Sequence, residues 1–300
     1  MTAQKDDNAA RHIPVLPREV LDGLRPCSGG SYADGTLGLG GHAELILRQS
    51  DPDGRLFGFE WDAQAAALAQ ERLTEFGGRF RLIPSSYAEM AIRLRAQESG
   101  LLDGILLDLG VSSLQFDSPE RGFSFQSDAP LDMRMNRSLP DTAADMLNSL
   151  SQDELADIFF HYGEERQARR IARFIAEARL LQSVTNTRQL AEIVRQAVPV
   201  KYQPKKIHPA TLVFQALRIA VNRELDNLAQ ALADAPQLLA PGGRLCIITF
   251  HSLEDRMVKQ VFAANSALQV LTKKPVQPCP EETAANPRSR SAKLRVAEKI

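Results

Sequence analysis

Cysteine is scarce in this 300-residue chain, which holds only Cys27, Cys246 and Cys279. Their odd number and wide separation exclude a disulfide framework and a CxxC-type zinc site. No uninterrupted apolar run approaches the roughly 20 residues that a membrane-spanning helix needs. The opening Met1-Thr2-Ala3-Gln4-Lys5-Asp6-Asp7 lacks the apolar stretch of a signal peptide. Membrane and secretory classes are set aside, and a reducing cytoplasm is the expected compartment. Net charge is also low, at -1, and by itself names no nucleic-acid partner. No internal repeat is found.

What is present is an ordinary globular composition, 44% hydrophobic and 24% charged, long enough to bury a sizeable core. Length suggests about two domains. The small net charge conceals a dipolar layout. Leu101 to Phe160 carry 11 Asp/Glu against 3 Lys/Arg, whereas His161 to Arg223 carry 12 Lys/Arg against 4 Asp/Glu. A solvated helix face explains many such runs; a positive face displayed to a partner is the sharper reading.

Short apolar strands alternate with helical patterns over the first hundred residues. Ser31–Asp34, Arg55–Glu60, Phe80–Ile83 and Gly104–Asp108 read as strands. A helix follows His42, and Asp62 opens an Ala-rich helix running to about Phe76. This grammar predicts an α/β fold with a parallel sheet covered on both faces. From about Ser112 to Asn136 the period is lost. Helices then follow without strands: one capped at Ser151–Glu154, one over Glu164–Leu181, one over Arg188–Val198. The α/β grammar returns with a long helix over Leu212–Leu239, a turn at Ala240–Gly243, a strand at Arg244–Phe250 and a helix capped at Ser252. Leu268–Leu271 and Ala292–Ala297 suggest a terminal hairpin. The expected organisation is one discontinuous α/β domain, 1–112 with 211–300, interrupted by a helical lobe over 113–210.

Three sites carry chemistry. Asp34-Gly35-Thr36-Leu37-Gly38-Leu39-Gly40-Gly41-His42 joins a strand to a helix. Glycines there let a ligand approach the backbone, and a helix start offers free N–H groups. Glu60 follows the second strand about 20 residues later, where a carboxylate can take ribose hydroxyls. Together they predict an adenosine-type cofactor, with nicotinamide and S-adenosylmethionine equally served. The fourth strand discriminates: Asp108, with Ser112 and Ser113, lies at its C-terminal edge. A carboxylate there can accept an N–H from an exocyclic amine whose lone pair attacks a methyl group. No second βαβ half and no hydride-site His or Lys/Tyr pair supports the nicotinamide alternative. An RNA-binding factor without catalysis is the other alternative.

The larger pattern is more specific. His12-Ile13-Pro14-Val15-Leu16, Asp34-Gly35-Thr36, Gly40-Gly41-His42, Asp103–Ser113, Glu120–Phe125, Pro130–Met135, Tyr162–Glu165, Phe250–Arg256 and Asn286–Ser291 closely resemble the bacterial ribosomal RNA small subunit methyltransferase H family, also called MraW. The resemblance runs in order from His12 to Glu298. It implies a class I S-adenosylmethionine-dependent, Rossmann-like sheet with an inserted substrate lobe. It also implies N4-methylation of cytosine 1402 in the decoding centre of 16S ribosomal RNA. By motif position, Gly40, Gly41, His42, Glu60, Tyr87, Asp108 and Gln115 are the implied cofactor contacts, His42 chiefly through its backbone N–H. Asp108 and Ser112 are the expected catalytic residues. The family usually has Asp where Glu60 stands, and often Pro where Leu114 stands.

Small-subunit rRNA, or the particle that contains it, is the implied partner; the assembly is open between monomer and homodimer. Arg166, Arg169, Arg170, Arg173, Lys201, Lys205 and Lys206 are expected to follow phosphates. The target base must leave its stack, and Phe123, Phe125 and Tyr162 are the candidate platforms. His208 and His251 lie in no HxxxH or Cys/His cluster, so hydrogen bonding within loops is expected and no metal site is assigned.

Overall fold

The structure is a computed structural model that describes residues 13–205 and 207–300; His12 and Lys206 lie outside them. It divides into two compact units, one made of the residues up to Gly110 with Asp226–Ile300, the other of Val111–Leu225.

In chain order the first unit supplies α1 (Pro17–Leu24), β1 (Ser31–Asp34), α2 (Gly41–Gln49), β2 (Arg55–Phe59), α3 (Ala63–Arg72), β3 (Phe80–Ile83), α4 (Met90–Ala96) and β4 (Leu102–Asp108). The second holds α5 (Ser113–Asp117), α6 (Ala143–Ser149), α7 (Gln152–His161), α8 (Ala168–Leu181), α9 (Thr187–Ala197) and α10 (Thr211–Asn222). Then come α11 (Glu224–Leu238), β5 (Leu239–Thr249), α12 (Ser252–Ala264), β6 (Leu268–Val270), α13 (Pro280–Ala285) and β7 (Lys293–Lys299).

The seven described strands form one sheet in the order β3-β2-β1-β4-β5-β7-β6. β1 to β5 are parallel; β7 runs antiparallel to both β5 and β6. This is an α/β sheet of the Rossmann-like kind that was expected, parallel apart from β7. Successive strand residues point to opposite faces, and both faces are apolar. Ala33, Phe59, Ile105, Leu107, Leu245 and Ile247 pack against Met90, Leu94, Leu228, Leu232, Val258 and Phe262. Tyr32, Leu56, Leu106, Cys246 and Ile248 pack against Val20, Leu24, Ala43, Ile46 and Leu47. Each fully buried Leu, Ile or Phe contributes about 1.5–3 kcal/mol. Strand order reverses between β1 and β4, so a crevice opens at their C-terminal ends.

Three expectations for the returning α/β part are corrected. Ala240–Gly243 is a bulge inside β5: Leu239 pairs with Leu102 and Arg244 with Gly104, so four residues stand opposite Asp103 alone. The long helix over 212–239 is two helices, broken where Arg223 turns left-handed at φ 51°. The N-cap of α12 is His251, whose ring accepts from the Glu254 N–H, while Glu254 takes the Phe250 and His251 N–H groups. The expected hairpin is present as β6 paired with β7.

The second unit is helical, with Leu147, Leu155, Phe159, Ile171, Ile175, Leu190, Val194 and Leu217 buried. α10 packs on α6 and α7, which puts the unit boundaries after Gly110 and Leu225, where 112 and 210 were expected. The irregular stretch before α6 is knitted by polar contacts. The Met133 N–H donates to Arg121 O (2.9 Å), and Arg121 donates to the carbonyls of Arg134 and Met135 (2.9 Å each). Asp132 and Arg134 form a two-pronged pair at 2.8 and 2.9 Å. No helix among the described residues is long and apolar enough to cross a membrane.

Candidate active site

The crevice of the sheet-bearing unit is assembled by short backbone contacts. Asp34 ends β1 and accepts the Thr36 N–H at 3.1 Å, which turns the chain. The Thr36 hydroxyl then accepts the Asp108 N–H at 2.5 Å, tying the tip of β4 to the Gly-rich loop. Glu60 accepts the Gly38 N–H at 2.9 Å and the Asp62 N–H at 2.8 Å, tying the same loop to the tip of β2. Gly40, at φ 79°, opens α2; few side chains tolerate that backbone conformation. The first bond of α2 runs from the Glu44 N–H to Gly40 O, and among the described residues no side chain caps the helix start. The N–H groups of Gly41, His42 and Ala43 are therefore left to a ligand or water.

Three carboxylates and an imidazole meet at these strand tips. Asp34 is buried, and burial pushes its carboxyl up to about 6; His42 and the Thr36 N–H pull the other way, and Asp108 adds to the rise. Glu60 is likewise pushed up to about 7 by burial, against the Asp62 and Gly38 N–H groups. His42 is 6% exposed, with Nε2 3.6 Å from Asp108 Oδ2. Among the described residues neither ring nitrogen of His42 has a hydrogen-bond partner, nor has Asp108 Oδ1. An unsatisfied buried polar atom costs about 1–3 kcal/mol, so the chain leaves this crevice demanding polar guests. Tyr87, at the turn after β3, is half-buried against the core cluster that contains Ala33, Phe59 and Leu107.

The structure thus brings Gly40, Gly41, His42, Glu60 and Asp108 to one rim. Asp34 and Thr36, to which no separate chemical role had been given, build this rim through their hydrogen bonds. The Asp-Gly-Thr turn was the available signal.

Ser112 and Gln115 belong to the helical unit, where they form the capping box of α5. Ser112 Oγ accepts the Gln115 N–H at 3.3 Å, and Gln115 Oε1 accepts the Ser112 N–H at 3.1 Å. Gln115 is buried and also reaches Met135 O at 3.4 Å.

Arg166, Arg169, Arg170, Arg173, Lys201 and Lys205 are exposed on the helical unit. Arg169, Arg170 and Arg173 of α8 line, with Gln152, a shallow recess of about 320 Å³. Arg170 donates to Ala197 O at 2.5 Å and stacks over Phe174. Arg173 also lies over Phe174 and pairs loosely with Glu177 at 3.6 Å. Lys201 sits over the Tyr202 ring. Of the candidate platforms, Phe123 is buried, Phe125 packs on His208 and Phe214, and Tyr162 is half-buried. His208 accepts the Ala210 N–H at 3.1 Å, a loop hydrogen bond as expected.

Residues 9–300 match the MraW methylase family. The chain is 50% identical over 289 residues to the ribosomal RNA small subunit methyltransferase H of Desulfotalea psychrophila, covering 96% of this chain and 98% of that protein. It is 53% identical over 291 residues to the protein of that name from Cyanothece, covering 96% and 95%. Among solved structures, an rRNA methylase from Streptococcus thermophilus aligns at TM-score 0.46 and 12% identity, over 97% of this chain and 99% of that one.

Proposed function

The chain belongs to the MraW methylase family, and on that premise we propose that it methylates small-subunit ribosomal RNA from S-adenosylmethionine, at N4 of cytosine 1402. The observation that carries this reading is the buried His42 ring beside half-buried Asp108, with polar atoms unpartnered among the described residues, set where strand order reverses. Those atoms, the open N–H groups of α2 and the glycine backbone at Gly40 fit a nucleoside cofactor with a polar tail. Bound there, S-adenosylmethionine supplies an electrophilic methyl group on a sulfonium sulfur.

Each residue's work follows from its environment. Gly40, Gly41 and His42 present main-chain N–H groups to the cofactor. Glu60 titrates near neutrality, so it can accept from ribose hydroxyls or donate to them. Tyr87 offers a ring to the adenine. Asp108 keeps Oδ1 for an N–H of the target amine, which orients the nitrogen lone pair and helps proton loss. Ser112 spends oxygen lone-pair capacity on its cap and retains a hydroxyl proton to donate toward the base. Gln115 is the remaining cofactor contact. Arg166, Arg170, Arg173, Lys201, Lys205 and Lys206 track phosphates of rRNA, free or in the small-subunit particle.

Asp108→Ala is expected to slow methylation of cytosine by on the order of 10²–10⁴-fold while RNA affinity persists. Mass spectrometry of digested RNA and a filter-binding assay read the two quantities. Undiminished turnover in that variant removes Asp108 from the chemistry. Calorimetric titration with S-adenosylhomocysteine and with NAD separates the rival cofactors; tight NAD binding alone ends the methyltransferase reading.

A further inference from the structure

His42 enters the reading above only through its main chain, yet its side chain is the less explained part. The imidazole is almost fully buried and, among the described residues, neither nitrogen is hydrogen-bonded; Asp108 Oδ2 lies 3.6 Å from Nε2. A ring placed merely to fill space needs no polar atoms, and packing alone favours an apolar residue there. Resting on the reading of this chain as an amine methyltransferase, we propose that the His42 imidazole is the proton store of the site and acts through Asp108. The carboxylate takes the proton of the methylated amine and passes it to Nε2.

The amine nitrogen bonds the methyl carbon as the carbon–sulfur bond breaks, and that electron pair stays on sulfur. The nitrogen is left positive until one N–H bond yields its proton to Asp108. A neutral carboxylic acid cannot serve the next turnover, and a neutral imidazole beside it accepts the proton at Nε2. The product pair, imidazolium and carboxylate, attracts. The imidazolium then gives its proton to water.

Among the described residues the charged surroundings are few. Asp108 faces the ring from the end of β4, and Asp34 acts on it from the end of β1. Glu60, after β2, is engaged by the Gly38 and Asp62 N–H groups. On α2 itself, Glu44 and Arg48 are taken up with Arg72 of α3 and with Glu75. α1 meets α2 through Val20 and Leu24.

The test compares His42→Gln with the wild type in single-turnover methylation across pH. Gln keeps a polar side chain but stores no proton. S-adenosylhomocysteine binding is expected to persist, while the rate plateau falls on the order of 10²-fold. The acid-side loss of rate moves to lower pH in His42→Gln, where only a carboxylate is left to take the proton. An acid limb that stays in place belongs to Asp34 and overturns the proposal. A second measurement needs no turnover: in the ligand-free protein, the His42 ring followed by NMR gives up its proton at lower pH in Asp108→Asn, because the neighbouring negative charge is gone. A ring indifferent to that substitution also overturns it. A wild-type protein that binds no S-adenosylhomocysteine or leaves cytosine unmethylated overturns the methyltransferase reading instead.

Discussion

Glu60 shows how one buried carboxyl does two jobs, holding the Gly38 and Asp62 N–H groups while facing the crevice. Its folded-state carboxyl lies near 7 against an ordinary 4.5, and that of Asp34 near 6 against 3.8. Both hold protons more tightly folded than unfolded, so their contribution to stability is complete below about pH 4. It is lost as pH rises through about 6 and then about 7. At about 1.4 kcal/mol per pH unit, the Glu60 rise is worth roughly 3 kcal/mol. The ligand-free protein is therefore expected to lose melting temperature between about pH 5 and pH 8. Glu60→Gln is expected to flatten the upper part of that decline, as calorimetry would show. Gly122 makes a simpler case. At φ 72° it has Pro130 O only 2.3 Å from where a Cβ would stand. Gly122→Ala combines that clash with a left-handed backbone and is expected to cost more than about 1 kcal/mol, read as a lower urea midpoint. The glycine was legible in its motif; the reason for it was not, because the obstructing carbonyl is eight residues away. His42 is the converse case. Its motif drew attention to its backbone, and only burial shows the stranded ring.

Most elements follow from local signals. β1 to β4 are short apolar runs ended by acids or turns, and α7 begins at a Ser151–Glu154 capping box that is plain in the residues. The failures share a cause. Pro241-Gly242-Gly243 has the chemistry of a turn, but pairing of Leu239 and Arg244 on β4 keeps the chain inside β5. α10 ends at Arg223 without glycine or proline to mark it. Buried Asn222 clips the irregular loop there, accepting the Met135 N–H at 2.7 Å and donating to Met133 O at 2.8 Å, a partnership across 87 and 89 residues. α12 is fastened to β7 by Asp255, which takes Arg295 at 2.6 Å and Lys293 at 3.1 Å. Burial raises this carboxyl, and the two cations outweigh it and hold it below the ordinary range. Stability from this contact is present above about pH 4 and lost on acidification. Asp255→Ala leaves Arg295, 5% exposed, without its carboxylate. The expected cost is about 3–5 kcal/mol, measured by denaturant unfolding.

Across the whole molecule, a net charge of -1 coexists with an acidic stretch over 101–160 and a basic one over 161–223. Arg166, Arg169, Arg170, Arg173, Lys201 and Lys205 are all exposed, so affinity for RNA is expected to fall with salt. Reversing Arg170 and Lys205 is expected to flatten the plot of log affinity against log salt by about one per lost phosphate contact. An unaltered slope returns these side chains to ordinary solvated duty. The division into a sheet-bearing unit and a helical one was legible from the loss and return of alternation, though α10 fell on the other side of it. β7 is the last strand in chain order, yet it lies between β5 and β6. While the polypeptide is still emerging from the ribosome, Leu245–Thr249 is made well before its neighbour and presents an unpaired hydrophobic border. Premature termination ahead of residue 293 would make that border permanent, producing aggregates in place of an enzyme with reduced activity.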